Sequence, residues 1–132
     1  MHIEEPLMSW LMLMARICLA AVFAVSGVHK ALYFRKAQAE FRDAAIPVVG
    51  LTLPLTIILH LLAPVFLVSG VFATEAALAL AVFTIAATIK VHHFWTLRGE
   101  ERLQQSRIAL AHLALVGGLI MLAAVGPGRL IL

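Results

Sequence analysis

Four side chains able to carry a charge or a hydrogen bond stand inside stretches that are otherwise apolar: Arg16, His60, Lys90 and His112. A guanidinium or ammonium there can hold a carbonyl or an anion, and a neutral imidazole offers one donor and one acceptor. Arg16 is the most demanding of the four. Counted from the start of its apolar run it lies about 13 Å deep at 1.5 Å per residue. A charge at a helix centre costs ~2.5–3.5 kcal/mol on insertion scales. It therefore needs facing groups, either as part of a site or as a pin onto backbone carbonyls of another helix. His60, one turn beyond Thr56 and one before Pro64, is expected at a similar depth. It reads either as a neutral, hydrogen-bonded core residue or as a second member of a polar site shared with Arg16.

A further group closes the third apolar stretch: Lys90, His92, His93, Phe94 and Trp95. Lys90 and His93 share a face by their spacing of three, with His92 pointing elsewhere. Trp95 fits an interfacial aromatic belt, to which Lys90 can snorkel. His112 is expected level with Lys90, within reach of His92 or His93 across helices. Adjacent histidines do not make a helical metal pair, and Cys18 is remote in depth, so no metal site is expected. Nothing matches His-Glu-x-x-His, a phosphate-binding loop, a dinucleotide fingerprint or Gly-x-Ser-x-Gly.

The elements that must position these residues follow from composition. The chain has 132 residues, 63% hydrophobic and 13% charged, with mean hydropathy +1.02. A soluble domain this small has too much surface to be so apolar, so lipid is the expected solvent. One all-α domain over 1–132 is expected. Its four spans run from about Leu7 to Val28, Gly50 to Phe72, Ala76 to Trp95 and Ile108 to Val125. Each is near the ~20 residues that cross hydrocarbon as helix. The runs lack the alternation of barrel strands. Pro54 and Pro64 inside the second span remove backbone donors and can kink it. Small residues such as Ala20, Ala24, Gly27, Ala77, Ala81 and Gly117-Gly118 are expected to let helices approach closely.

Lysine and arginine set the orientation. Lys30, Arg35, Lys36 and Arg42 fall between spans one and two, and Arg98, Arg102 and Arg107 between three and four, against Arg129 alone on the other side. This places loops 29–49 and 96–107 in the cytoplasm and both termini outside. The same segregation turns the net charge of +3 into a topology signal, and nucleic acid is not an expected partner. The leader Met1–Pro6 is acidic, unlike a signal peptide, so the first span is expected to remain, with Pro6 in the first helical turn. Phe34, Ala37, Phe41 and Ala45 recur at helical spacing, as in a short amphipathic helix at the headgroups; a solvated basic loop is the other reading. The single cysteine cannot form an internal disulfide.

These residues together resemble the DoxX family of small membrane proteins. The resemblance rests on Arg16, Phe23-x-x-Ser26-Gly27-x-x-Lys30, Ile46-Pro47, Val68-Ser69-Gly70-Val71, His93-Phe94-Trp95, Gly117-Gly118 and the closing Gly126-Pro127-Gly128-Arg129. Where the family commonly has an acidic residue in span two, this chain has His60. The resemblance implies a four-helix membrane bundle linked to redox chemistry, since family members are similar to subunits of quinone-reducing systems. The leading expectation is an accessory subunit of a redox system in the inner membrane. It would bind a quinone-like ligand near Arg16, His60, Lys90 and His112, with His92, His93 and Trp95 as secondary candidates. A donor facing a quinone carbonyl would stabilise charge developing on its oxygen. A partner protein or bound cofactor would supply the electrons, and a homo-oligomer is a further possibility. The alternatives are a non-catalytic scaffold for a partner protein and, less favoured by four short helices without an inverted repeat, a small-anion transporter.

Overall fold

Every long apolar run folds as helix, as a chain in lipid requires of its backbone groups. The computed structural model describes residues 4–132; part of the acidic leader thus lies outside the described residues. The elements are α1 (Glu5–Leu32), α2 (Phe34–Asp43), α3 (Val49–Ser69), α4 (Ala73–Val91), a single 3₁₀ turn (Phe94–Thr96) and α5 (Gly99–Val125). Four of these segments are long and apolar enough to cross a membrane. Pro6 sits in the first turn of α1, where its missing N–H is not needed.

Along α1 the buried residues are Ser9, Leu13, Arg16, Ala20, Phe23 and Gly27. Their alternating spacing of four and three makes one stripe, and that stripe packs chiefly on α3. From there α3 packs on α4 and α4 on α5, while α2 lies on α3 and α1 only. The core between the helices is built from Ala20, Phe23, Leu67, Ala77, Leu80 and Leu119. Large apolar side chains such as Val25, Leu62, Val82 and Met121 point outward, as on a bundle whose surroundings are hydrocarbon.

Several boundaries depart from the sequence reading. α1 continues past Val28 to Leu32, so Lys30 is a helical residue rather than a loop residue. The segment expected as loop 96–107 is mostly the first turns of α5, opened by Glu100 and Glu101 at the positive end of the helix dipole. α4 stops at Val91, before the histidines. The short helix exists: Ala37 and Phe41 bury against Leu53, with Ile46, Val49 and Ile57 around them. Ala45 does not join that face. It follows the helix with φ 57° and is exposed.

Candidate functional site

Arg16 lies toward the end of the bundle where α1 begins and α5 ends. Its side chain is fully buried; its two terminal nitrogens donate to backbone carbonyls, while Nε has no partner. Nη1 donates to Pro127 O at 2.8 Å, and Nη2 to Val68 O at 3.0 Å and Leu130 O at 2.7 Å. Two of these acceptors belong to the segment after α5, which folds back over the bundle and ends with Leu132 N–H donating to Ser69 O at 2.8 Å. Gly70, at φ 86°, makes the space: a Cβ there would meet Arg16 Nη1 at 2.9 Å and Ile131 at 2.6 Å. Nearby, Arg129 Nε and Glu5 Oε1 are 3.2 Å apart, both exposed. The arrangement is a clasp that ties α1, α3 and the C-terminal segment.

The structure does not bring Arg16 and His60 together. Val68 and His60 are eight residues apart on α3, about 12 Å along the helix, and His60 faces a different space. That space is a cavity of about 610 Å³ in the half of the bundle nearer the basic loops. Its deep wall holds Phe23, Phe83, Thr56, Thr84 and His60. His60 is 3% exposed, and neither Nδ1 nor Nε2 has a hydrogen-bond partner. The hydroxyls beside it are engaged elsewhere: Thr56 donates to Thr52 O and Thr84 to Leu80 O. Two aromatic rings fix the imidazole edge-on, Phe23 at 5.6 Å and Phe83 at 4.7 Å between centroids. Behind it, Gly27 lets α1 approach α3; a Cβ there would sit 2.9 Å from His60 Cβ and 3.1 Å from its carbonyl carbon. An unpaired buried polar atom costs ~1–3 kcal/mol, and His60, a residue of the cavity wall, holds two.

Toward the basic loops the lining turns polar, with Lys30, Glu40, Lys90, His92 and His112. Lys30 Nζ donates to Ser26 Oγ, one turn back on α1, at 2.6 Å. His112 Nδ1 lies 2.8 Å from Thr88 Oγ1, and His92 Nδ1 lies 2.6 Å from Gln105 Oε1. The two imidazoles meet across α4 and α5 with ring centroids 5.0 Å apart. Two lysines and three imidazoles face one carboxylate, so the cavity offers donors and positive charge to whatever occupies it. Among the described residues no group of three or more His, Cys, Asp or Glu converges as metal ligands.

The family model described as DoxX matches residues 11–93, from α1 through the end of α4. The chain belongs to the DoxX family. It is 23% identical over 120 residues to the inner membrane protein YphA of Escherichia coli K12, covering 91% of this chain and 86% of YphA. No solved structure matches.

The DoxX-like motifs divide between the two ends of the molecule. Val68-Ser69-Gly70 and Gly126-Pro127-Gly128 build the Arg16 clasp, while Phe23-x-x-Ser26-Gly27-x-x-Lys30 builds the cavity wall around His60. Of the sequence candidates, the cavity gathers His60, Lys90, His112 and His92. It leaves out Arg16, His93 and Trp95. His93 and His92 exchange their expected roles because α4 ends at Val91 and helical spacing no longer applies. His92 turns to the cavity, whereas His93 Nδ1 pairs with Thr96 Oγ1 at 2.7 Å. Trp95 is 52% exposed on the 3₁₀ turn, beside the His93 ring. Sequence reasoning missed Lys30, Ser26, Glu40 and Phe83. The first two were detectable, since 23, 26, 27 and 30 follow one helical face.

Proposed function

We propose that this DoxX-family chain is an accessory subunit of an inner-membrane redox system and binds a quinone-like molecule in the cavity at His60. The observation that carries the reading is the pair of unpartnered ring nitrogens of a buried histidine in the wall of an intramembrane cavity. Buried polar atoms without partners are uncommon, and those beside a cavity mark where a ligand's polar group belongs. The volume lies within the ~300–1,000 Å³ of small-molecule sites.

The residues fit such a ligand. Phe23, Phe83 and Leu115 supply apolar walls for a flat ring, and His60 and Lys30 supply donors for its oxygen. A quinone, when bound, supplies a carrier of two electrons and two protons. The chain's own contribution is to fix donors at the ligand oxygen, where they strengthen as negative charge develops. The apolar surroundings of His60 lower the local dielectric and so raise the worth of each such contact. Electrons come from a partner protein or a second cofactor in this reading. The name of the relative YphA supports the inner membrane, and the seven-to-one distribution of Lys and Arg between the two ends of the spans supports a cytoplasmic basic end with both termini periplasmic.

The test is equilibrium binding. Purified protein in nanodiscs is titrated with a short-chain quinone, and saturable binding is expected to weaken at least tenfold in His60→Leu. Wild-type protein without saturable binding, or equal affinity in the folded variant, would overturn the reading.

A further inference from the structure

The hydrogen bonds around His112 fix where its proton is. Thr88 Oγ1 donates to Thr84 O at 2.7 Å, the usual bond of a threonine to the carbonyl four residues back. A hydroxyl has one proton, and this bond uses it. The 2.8 Å contact between Thr88 Oγ1 and His112 Nδ1 therefore has the imidazole as donor. A neutral His112 with its proton on Nδ1 keeps a lone pair on Nε2. Thr88 is not part of the cavity wall, whereas His112 is, so the ring edge opposite Nδ1 is the one turned to the cavity. His92 follows the same logic. Its Nδ1 lies 2.6 Å from the amide oxygen of Gln105, an acceptor, which is also outside the lining. Its Nε2 is likewise left as an acceptor. Among the described residues neither Nε2 makes a hydrogen bond.

The cavity thus offers donors and acceptors together. His60 and the two lysines can donate, while His112 and His92, held by Thr88 and Gln105, add Nε2 acceptors at the polar end. A ligand with only carbonyl oxygens meets the donors and leaves those acceptors unpaired. A ligand with hydroxyls satisfies both, because a phenolic oxygen accepts and its proton donates.

We infer that the cavity is built for the reduced, hydroxyl-bearing form of its ligand, with His112 Nε2 accepting the hydrogen bond of a phenolic O–H. The inference rests on the quinone-like reading and deepens it by naming the form that is held. A site that hydrogen-bonds a ligand hydroxyl discriminates strongly against the analogue lacking it, because its own polar group is otherwise left unpaired.

The experiment compares a short-chain benzoquinone with its hydroquinone, anaerobically, on wild-type protein in nanodiscs. Binding is read by calorimetry. The hydroquinone is expected to bind at least tenfold more tightly. His112→Phe is expected to reduce that preference to less than threefold. Thr88→Val should do the same from outside the cavity, because Nδ1 then loses its acceptor and the proton can move to Nε2. Equal affinity for the two forms, or preference for the quinone, overturns this inference and leaves the quinone-site reading standing. Failure of both forms to bind overturns both. A tenfold preference retained in both variants overturns the assignment to His112.

Discussion

Replacing Arg16 with leucine removes a charge from the membrane interior and three hydrogen bonds with it. Charge-assisted bonds contribute ~1.5–3 kcal/mol each, so three at 2.7–3.0 Å give a gross stabilisation of about 4–9 kcal/mol. Against this stands the ~2.5–3.5 kcal/mol cost of holding an arginine in hydrocarbon. Intramembrane hydrogen bonds fall at the low end of such ranges. Arg16→Leu is therefore expected to destabilise the fold by about 1 kcal/mol, the lower end of that difference. Arg16→Lys keeps the charge without the planar fork and should lose about half as much. The assay is reversible unfolding by sodium dodecyl sulfate in mixed micelles, followed by tryptophan fluorescence. A second readout uses Leu130→Cys in a Cys18→Ala background. Its thiol should react slowly with a maleimide when Arg16 holds the adjacent carbonyls, and quickly in Arg16→Leu. Unchanged unfolding together with a still-protected thiol would refute the clasp. Quinone binding should survive the substitution in the folded fraction, because Arg16 does not line the cavity.

Other substitutions address the cavity and the orientation. Gly27→Ala pushes a methyl against the His60 backbone and side chain, and overpacking of this kind costs ~1–3 kcal/mol. Its unfolding midpoint should fall, and its quinone affinity should fall at least tenfold with it. Cysteines placed at Arg102 and at Leu130, again without Cys18, should react with an impermeant maleimide from opposite sides of inside-out vesicles. Arg102→Cys should react from the cytoplasmic face, and Leu130→Cys only from the other face, faster after Arg16→Leu. Labelling of both from one face would contradict the proposed topology.

The bundle was legible because each span is a continuous apolar run of the length a membrane requires. Its edges were less so. Gly99 to Arg107 is too charged to register as a span, yet it continues α5 as a helix beyond the hydrocarbon. Lys30 looks like loop charge by hydropathy, although α1 carries it to the cavity. Arg16 was recognisable as buried and in need of partners, but nothing in the residue types named them. They are main-chain carbonyls, which every residue has, and two lie more than a hundred positions away. Depth also misled: Arg16 and His60 were expected together because hydropathy gives distance along a helix and says nothing about which neighbour each side chain faces. The end of α4 had a similar effect on His92 and His93, since a pattern of three holds only while the helix lasts.

The most direct test of the central claim observes the His60 ring itself. Protein with ¹⁵N-labelled histidine is placed in lipid, and its imidazole signals are recorded by solid-state NMR without and with saturating short-chain hydroquinone. His60→Leu identifies the resonances. The account predicts that the His60 nitrogens move to hydrogen-bonded shifts when ligand is added, saturating at the stoichiometry of one ligand per chain. Bound ligand that leaves the His60 signals unmoved would contradict it.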